Sequence, residues 1–346
     1  SMTAAKRITS KDVAQRAGVS RTTVSFVLNN VDGVQISPET RQRVLQAAAE
    51  LNYIPDASAQ SLASGRAHAL GLVMSRHPRQ IASDAFLSQM LDNLVREANR
   101  YGMRILLEVL DENGPAERFL NLIRSKRMDG ILYSGPRFDD AALEIIHKHK
   151  FPTVLMGQFP GAPFCWVDVD SRAAAKRATE HLIRLGHQRV GCITNAMPTY
   201  TASMQRLSGY QDALSEAGIP LNDRLVRFGD FDLESGYHQM TSLLQEAERP
   251  TAVFVASDVL AAGALAAARQ AGLNIPRDLA LVGFDDIPLA RYLDPPLTTV
   301  HLPVTALVSA ATEMLFQLIE GQQPEPANML LDTHLVIRRS CGLNAQ

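Results

Sequence analysis

Residues 8–30 constrain the chain most, because they encode two short helices joined by a tight turn. Thr9 and Ser10 are N-cap candidates for the first helix, whose small apolar residues share one face. Gly18 then stands where the chain stops and turns, since glycine adopts positive φ without strain. The pattern predicts a helix-turn-helix unit, although an ordinary surface hairpin of helices has the same pattern.

The second helix, over residues 21–28, has a mostly polar outer face. Ser20 can cap it, and Val24, Val27 and Leu28 are spaced to point inward. The spacing leaves five side chains outside: Arg21, Thr22, Ser25, Phe26 and Asn29. A helix that reads a DNA major groove carries hydrogen-bonding side chains in its N-terminal half.

The charge balance favours a separate head that binds a polyanion. Residues 1–66 contain eight Lys/Arg against five Asp/Glu, whereas the rest of the chain contains 26 against 31. A small basic module attached to an acidic body is typical of proteins that bind nucleic acid.

The length of the chain and the spacing of its cysteines limit the kinds of protein that it can be. The 346 residues are enough for two or three domains. No run reaches the roughly 20 apolar residues of a membrane span, and no basic and apolar leader opens the chain, so we expect a cytoplasmic, nucleoid-associated protein. Cys165, Cys192 and Cys341 lie far apart without metal-ligand spacing, and we expect no disulfide, metal or cofactor.

A third helix completes the head, which we place at residues 1–55. Ser37 can cap this helix, and Pro38 suits its first position. Its predicted apolar stripe comprises Val44, Leu45, Ala48 and Leu51. Residues 56–67 follow as a linker whose single large apolar residue is Leu62. A helix this short is marginal alone, so we expect it to be helical only where something supports it.

From residue 68 the pattern alternates buried strands with amphipathic helices. Strands are predicted over 70–74, 104–109, 130–133, 153–156, 190–194, 252–255 and 280–284. Helices are predicted over 84–101, 115–126, 139–149, 171–186, 201–217, 233–247 and 258–272. The alternation indicates doubly wound parallel sheets, and its restart near Arg189 indicates two α/β lobes. A ligand cleft is expected between the lobes, at the carboxyl ends of the strands.

The sequence resembles the lactose-repressor family of bacterial transcriptional regulators over nearly its whole length. The resemblance rests on DVAQRAGVSRTTVSFVLN, TRQRVLQAAAELNYIPDASAQSLASG, VFVASDVLAAGAL, LALVGFDDIPLARYLDPPLTTV and LVIRRSC. It implies a hinge helix in the linker and a body of periplasmic-binding-protein type over residues 68–346. The first lobe is then expected over 68–165 plus 303–325, and the second over 166–298 plus 328–341.

The resemblance also implies a homodimer whose two heads grip a near-palindromic DNA operator. Arg21, Thr22 and Phe26 match the base-reading positions, where arginine pairs with guanine and the other two can touch a thymine methyl group. Phe26 stands where a polar residue is more usual, and it can alternatively pack inside the head. Contacts to phosphates or within the turn fall on Ser20, Thr23, Ser25 and Asn29.

In the linker, Leu62 matches the leucine that wedges into a central minor-groove step and kinks the DNA. Ala59 and Ala63 are small enough for close approach to the groove or to the partner's hinge. The alternative is that Leu62 packs on the body.

The resemblance places effector-binding positions in the cleft. They fall on Arg206, Phe231, Ser257 and Asp285. Arg76 after the first strand and Phe86 in the next helix can also line the cleft. A donor fork, an aromatic face and a carboxylate suit a sugar, and they also suit a nucleobase or a phosphosugar. Asp285 can instead be a turn residue, and Asp258 is expected to cap the following helix.

Two other classes of protein compete with a regulator. An α/β enzyme is disfavoured because the sequence lacks GxSxG, GxxxxGK[ST], HExxH and GxGxxG, and the Asp285-Asp286 pair has no second constellation. A plain solute-binding protein would have a leader and no basic head. We therefore expect a ligand-responsive repressor of a sugar-utilisation operon, in which the ligand controls the order of the hinge helix. No trailing heptad repeat is present, so a dimer is the expected assembly.

We expect Leu62→Ala to weaken operator binding and to reduce DNA bending, because alanine is too small to wedge between base pairs. The affinity for the cleft ligand should not change. Electrophoretic mobility of circularly permuted operator fragments measures the bend, and calorimetry measures ligand affinity. Equal bending by the variant and the native chain would refute the wedge.

Overall fold

The structure is a computed structural model that describes residues 8–29, 33–54, 65–77, 80–81, 84–110 and 116–342. The chain divides into two compact units, Ser1–His68 and Ala69–Gln346. The three predicted hinge residues, Ala59, Leu62 and Ala63, lie outside the described residues, so their roles stay predictions.

The described residues of the first unit, which we call the head, contain three helices. They are α1 (Ser10–Ala17), α2 (Arg21–Leu28) and α3 (Pro38–Glu50). Asp12 accepts hydrogen bonds from the Thr9 backbone nitrogen at 2.8 Å and from its hydroxyl at 2.6 Å, which holds the start of α1. Gly18 ends α1 with φ of 66°, and the Ser20 hydroxyl accepts a bond from the Thr23 nitrogen. The predicted turn chemistry is therefore confirmed.

The head core consists of small apolar side chains from all three helices. They are Val13, Ala14, Ala17, Val24, Val27, Val44, Ala47 and Ala48. Leu45, which we predicted in the stripe of α3, is 50% exposed, so that assignment is wrong. The buried row of α3 runs through Val44, Ala47 and Ala48 at spacings of three and four, and Leu45 is turned about 100° away from it.

The second unit, which we call the body, alternates strands and helices. Its strands are β1 (Ala69–Ser75), β2 (Arg104–Leu110), β3 (Gly130–Ser134), β4 (Thr153–Met156), β5 (Cys165–Val169), β6 (Val190–Thr194), β7 (Val226–Phe228), β8 (Ala252–Val255), β9 (Ala280–Val282), β10 (Thr299–His301), β11 (Asn328–Leu331) and β12 (His334–Val336). Its helices are α4 (Ala85–Arg100), α5 (Ala116–Arg124), α6 (Ala141–Lys148), α7 (Ser171–Arg184), α8 (Thr201–Glu216), α9 (Leu233–Leu244), α10 (Asp258–Gln270) and α11 (Val304–Ile319). Among the described helices, none combines the length and apolar character that a membrane span needs.

The body contains two parallel sheets, as the alternation predicted. The first lobe has the strand order β11-β5-β4-β3-β1-β2, and the second has β7-β6-β8-β9. The antiparallel pair β10-β12 forms a third, small sheet. The chain crosses between the lobes three times, after β5, after β10 and after β11, and α11 packs on the first lobe.

The predicted boundary between the lobes is wrong at two places. Residues 166–169 and 328–331 were assigned to the second lobe, yet β5 and β11 lie in the first sheet. Asn328 pairs with Trp166 and Leu331 with Val169 in a parallel register, so β11 completes the edge of that sheet. Strands of only three to five residues carry little hydrophobic periodicity, which is why β5, β7 and β10–β12 were not predicted.

Glycine permits very close packing of two helices in the second lobe. A Cβ atom at Gly209 of α8 would lie 2.1 Å from the carbonyl oxygen of Arg172 and 2.8 Å from the nitrogen of Lys176, both in α7. Backbone atoms cannot move aside as the end of a flexible side chain can, so any larger residue must separate the two helices.

We predict that Gly209→Ala lowers the free energy of unfolding by roughly 1–3 kcal/mol, because overpacking outweighs the better helix propensity of alanine. Ser215→Ala, at an exposed position of the same helix, is the matched control and should stay within about 0.5 kcal/mol. Urea unfolding measures both. A Gly209→Ala chain as stable as the control would show that the helices are not in tight contact.

Candidate functional site

A cleft lies between the two lobes, at the carboxyl ends of both parallel sheets, as expected for this architecture. The structure brings all six predicted effector residues together in its lining: Arg76, Phe86, Arg206, Phe231, Ser257 and Asp285. They come from both lobes, and four of them follow strands, while Phe86 and Arg206 lie in the first two turns of α4 and α8. Their role as ligand contacts remains a prediction.

On the first-lobe side, Arg76 is held in place by a carboxylate and an aromatic ring. Its Nη1 atom lies 2.5 Å from the Asp84 carboxylate, which also caps α4 by accepting the Leu87 nitrogen at 2.9 Å. Its guanidinium lies 4.0 Å from the ring centroid of Phe231, a second-lobe residue. This cation–π contact therefore joins the two lobes across the cleft.

On the second-lobe side, Arg206 has a similar environment. Its Nη1 atom donates to the carbonyl oxygen of Ala256 at 2.6 Å and lies 3.5 Å from the Asp285 carboxylate. Its guanidinium lies 3.9 Å from the Phe284 ring centroid. Burial raises the pKa of Asp285 to about 6, while the charge of Arg206 opposes that rise.

The backbone is strained at two cleft residues. Phe231 has φ of 65° and Asp285 has φ of 113°, values that side chains other than glycine rarely adopt. Asp285 keeps this geometry because its nitrogen bonds the Val300 carbonyl at 3.0 Å and its own carbonyl accepts the Leu302 nitrogen at 3.3 Å. Strain of this kind is retained where the conformation serves a function. Asp285 is also fixed directly to the chain segment that crosses between the lobes.

Asp168 is a cleft residue that the sequence analysis missed. It lies in β5, and its oxygens accept the nitrogens of Gln158 at 2.9 Å and Val169 at 2.8 Å. Burial raises its pKa to about 6, and Arg206 from the other lobe opposes this. The rule that polar residues at strand ends line the cleft would have found Asp168, had β5 been predicted.

Within the described part of the chain, several buried polar atoms of the cleft residues have no hydrogen-bond partner. They include Nε of Arg76, Nε of Arg206 and Oδ1 of Asn195, a residue that follows β6. Buried donors and acceptors are nearly always satisfied in native proteins, so these atoms require partners from a bound molecule or water. The set offers both donors and acceptors, which matches a ligand rich in hydroxyl groups.

Direct hydrogen bonds also join the lobes beside the cleft. The Tyr200 hydroxyl donates to the Ser75 carbonyl at 3.0 Å, and Gln80 Nε2 donates to the Asp230 carboxylate at 2.5 Å. The Tyr200 ring also contacts Phe231 edge to face, with centroids 4.9 Å apart. Tyr200 and Gln80 were not singled out from the sequence, because contacts between lobes leave no local pattern.

Asp258 does not cap α10, so that prediction is wrong. Ser257 occupies the N-cap position, and Asp258 begins the helix. The fully buried Asp258 carboxylate instead accepts the Thr299 hydroxyl at 2.6 Å and the Ile287 nitrogen at 3.0 Å. It therefore holds β10 and the segment after β9 together beneath the cleft.

In the head, α2 presents the predicted outer face. Arg21 and Thr22 are exposed, while Phe26 is half-buried and is not among the apolar residues that pack on the described head core. That placement favours a surface role for Phe26 over packing inside the head. All four predicted backbone or turn residues form local hydrogen bonds: the Ser20 hydroxyl with the Thr23 hydroxyl at 2.9 Å, and Asn29 with Ser25 at 3.1 Å.

Comparisons with known proteins agree with this two-part organisation. Residues 9–56 match the family model of bacterial regulatory proteins of the lacI family, and residues 179–341 match the periplasmic binding protein-like domain. The transcriptional regulator CelR of Thermobifida fusca is 33% identical over 338 residues, covering 97% of this chain and 98% of CelR. The repressor PurR of Photobacterium profundum is 32% identical over 335 residues, covering 96% of this chain and 98% of PurR.

Solved structures show the same similarity. A CelR–cellobiose complex has a TM-score of 0.74 and 32% identity, covering 96% of this chain and all of that one. The lac repressor dimer bound to operator and the anti-inducer ONPF has a TM-score of 0.82 and 30% identity, covering 97% of this chain and 99% of the repressor chain.

A helix-turn-helix head joined to a two-lobed body with a ligand cleft defines a DNA-binding transcriptional regulator that responds to a ligand. The similarity covers nearly the whole chain at 30% identity or more, which is enough to identify the family. The chain belongs to the lacI family of bacterial regulatory proteins.

The raised pKa of Asp168 predicts that this residue lowers the free energy of unfolding as pH rises. Between about pH 4 and pH 6 the unfolded chain releases this proton while the folded chain keeps it, so ionisation destabilises the fold as pH rises. The stability of Asp168→Asn relative to the native chain should therefore rise by about 2 kcal/mol from pH 4.5 to pH 7. Urea unfolding at both pH values measures the gain, and Asp92→Asn on the surface of α4 is the control. An identical difference at both pH values would contradict the assignment.

Proposed function

We propose that this chain is a cytoplasmic homodimeric repressor that binds a near-palindromic operator and is controlled by a neutral sugar in the interlobe cleft. The observation that carries the proposal is the charge pairing in the cleft. Both arginines already face protein carboxylates, whereas a third carboxylate, Asp168, forms no ion pair among the described residues and is bonded by two backbone nitrogens.

The DNA-binding part of the proposal rests on α2. Arg21 and Thr22 are exposed at its start, and with Phe26 they would contact base edges in the major groove. Ser20, Thr23, Ser25 and Asn29 would hold phosphates or the turn itself. Leu62, flanked by Ala59 and Ala63, would wedge into the minor groove at the centre of the operator.

The charge of the cleft discriminates between the candidate ligands. A phosphosugar needs free cations, but Arg76 is bonded to Asp84 and Arg206 lies beside Asp285. Three carboxylates against two guanidinium groups leave an excess of negative charge, which would repel a phosphate. A neutral sugar instead offers hydroxyl donors to Asp168 and Asp285 and acceptors to the unpaired arginine Nε atoms.

The flat ring of Phe231 and the unpaired Oδ1 of Asn195 complete this chemistry. Apolar ring faces of sugars stack on aromatic side chains, and hydroxyl groups satisfy buried amide oxygens. The similar regulator CelR forms a complex with cellobiose, which supports a neutral glycan for this chain also.

The coupling between the cleft and the DNA would pass through Asp285. Its backbone is bonded to Val300 in β10 and to Leu302 in the segment that leads into α11, so a ligand that moves Asp285 would change the angle between the lobes. A change in that angle would alter the packing of the two hinge segments, and with it the position of Leu62. A coupling of about 1–3 kcal/mol changes operator affinity roughly 5–150-fold.

We further propose that the cleft binds its ligand without reacting with it. Two carboxylates with raised pKa would also suit sugar hydrolysis, which makes that the competing function. Both carboxylates are nevertheless engaged, Asp285 by Arg206 and Asp168 by two backbone nitrogens. Release of glucose from cellobiose at catalytic rates would contradict the proposal.

The proposal predicts which ligands raise the melting temperature. We expect cellobiose or glucose to stabilise the native chain, because a molecule that binds only the folded state raises its melting point. Glucose 6-phosphate and adenine, the phosphosugar and nucleobase probes, should give smaller shifts. Thermal-shift assays compare the four, and the largest shift with glucose 6-phosphate would overturn the charge argument.

Asp285→Asn should then abolish the response of operator binding to the sugar while operator binding itself is retained. Glu234→Gln, an exposed carboxylate of the same lobe, is the control and should respond like the native chain. Fluorescence anisotropy of labelled operator, with and without sugar, measures both. A full sugar response in Asp285→Asn would remove Asp285 from the mechanism.

A further inference from the structure

The amino-terminal edge of the first sheet adjoins the point where the chain arrives from the head. β1 starts at Ala69, directly after the linker and His68. Ala69 is paired with Arg104, the first residue of β2, and its carbonyl accepts the Asp129 nitrogen at 2.8 Å. Because the strands are parallel, all of them begin at this same edge.

This edge is rich in exposed cations. They are Arg104, Arg124, Lys126, Arg127, Lys148 and Lys150, and we call them the basic edge. They lie on the first residue of β2, at the ends of α5 and α6, and in the loops that lead into β3 and β4. Within the described part of the chain, none of the six forms an ion pair.

Few acidic residues offset this charge. Asp129 lies within the edge and is half-buried, and Glu320 follows α11, whose Ile319 side chain packs beside Gly130. The six cations therefore exceed the neighbouring acids, although the chain beyond the head carries 31 Asp/Glu against 26 Lys/Arg. A positive patch on a body of opposite overall charge points to a polyanionic partner.

Two of the lysines occupy positions that are unusual for lysine. Lys126 and Lys150 lie two residues beyond the ends of α5 and α6, with φ of 51° and 50°, a conformation that glycine and asparagine adopt with less strain. Cations near a helix C-terminus do interact favourably with its dipole, which explains part of this preference. The dipole does not explain Arg104 or Arg127, which lie on a strand and in a loop.

We propose that the basic edge binds the phosphates of duplex DNA that flanks the operator. The inference rests on the proposed function, because the head must first hold the DNA. The linker over residues 56–67 can span at most about 40 Å, so the chain itself tethers the start of β1 within that reach of the head. Tethering at that distance gives even weak phosphate contacts a high effective concentration.

The dimensions of the edge fit this role. Four neighbouring strands, β4-β3-β1-β2, span about 15 Å at roughly 4.8 Å per strand. Duplex DNA carries one charge per about 1.7 Å of its axis, so an edge of this width faces several phosphates. Such contacts carry no sequence information and add affinity that falls with salt.

The test compares two duplexes that contain the operator selected by the native chain. One duplex contains the operator alone, and the other adds about 20 bp on each side, which is two helical turns. The variant combines Lys126→Asn, Arg127→Gln and Lys150→Asn, with asparagine at the two positions of positive φ. The control combines Arg224→Gln, Arg249→Gln and Arg291→Gln, three exposed cations of the second lobe. Thermal melting verifies that both variants fold.

For the long duplex, we expect the variant to bind at least about tenfold more weakly at 0.1 M salt. Because the dimer loses six cations, the salt dependence of log K should be shallower by roughly 5. On the operator-only duplex the variant should match the native chain, and the control should match it on both. Equal salt dependence of the variant and the native chain on the long duplex would overturn the inference, as would an equal loss in the control. If the native chain selects no symmetric duplex at all, the proposed function itself fails.

Discussion

Two arginines and three carboxylates are buried together in one cleft, and their removal from water is the constraint on which the body depends. A buried charge is costly unless it is paired, so Arg76 and Arg206 each lie beside a carboxylate and over an aromatic ring. The ring over which Arg76 lies belongs to the opposite lobe, and Arg206 acts electrostatically on Asp168 of the first lobe. The network that neutralises the cleft therefore also joins the lobes.

The same network explains how a ligand bound in the cleft can change the arrangement of the two lobes. Asp285 is fixed to the crossing segment by two backbone hydrogen bonds, and the buried Asp258 holds β10 from below. A ligand that exchanges hydrogen bonds with Asp285 and Asp168 changes the balance of attraction between the lobes. The segment that leads from Asp285 into α11, which packs on the first lobe, would then suffice to transmit this change towards the DNA.

Local signals in the sequence predicted the head and the alternating body well. Gly18 and Ser20 carry turn and capping chemistry that a few residues determine, and buried strands such as β1 and β3 are continuous apolar runs. The family resemblance indicated Arg206, Phe231, Ser257 and Asp285, and the position after the first strand and at the start of the next helix indicated Arg76 and Phe86. All six line one cleft because the carboxyl ends of parallel strands converge there. The cleft geometry places them together, while their contacts with a ligand and with DNA remain to be measured.

What the sequence did not predict depends on contacts between distant segments. β5 is short, and its partner β11 lies more than 150 residues away, so neither strand carries a signal of its own and Asp168 was missed with them. The bonds of Tyr200 with Ser75 and of Gln80 with Asp230 depend on how two lobes meet. Asp258 looked like a helix cap because its partners Thr299 and Ile287 are far along the chain.

The central claim is that the cleft and the operator are energetically linked, and reciprocity tests it most directly. Operator affinity is measured with and without a saturating sugar, and sugar affinity is measured with and without saturating operator. The account predicts that both ratios are equal and lie between roughly 5 and 150. A ratio of one in both experiments, with a sugar that demonstrably occupies the cleft, would contradict it.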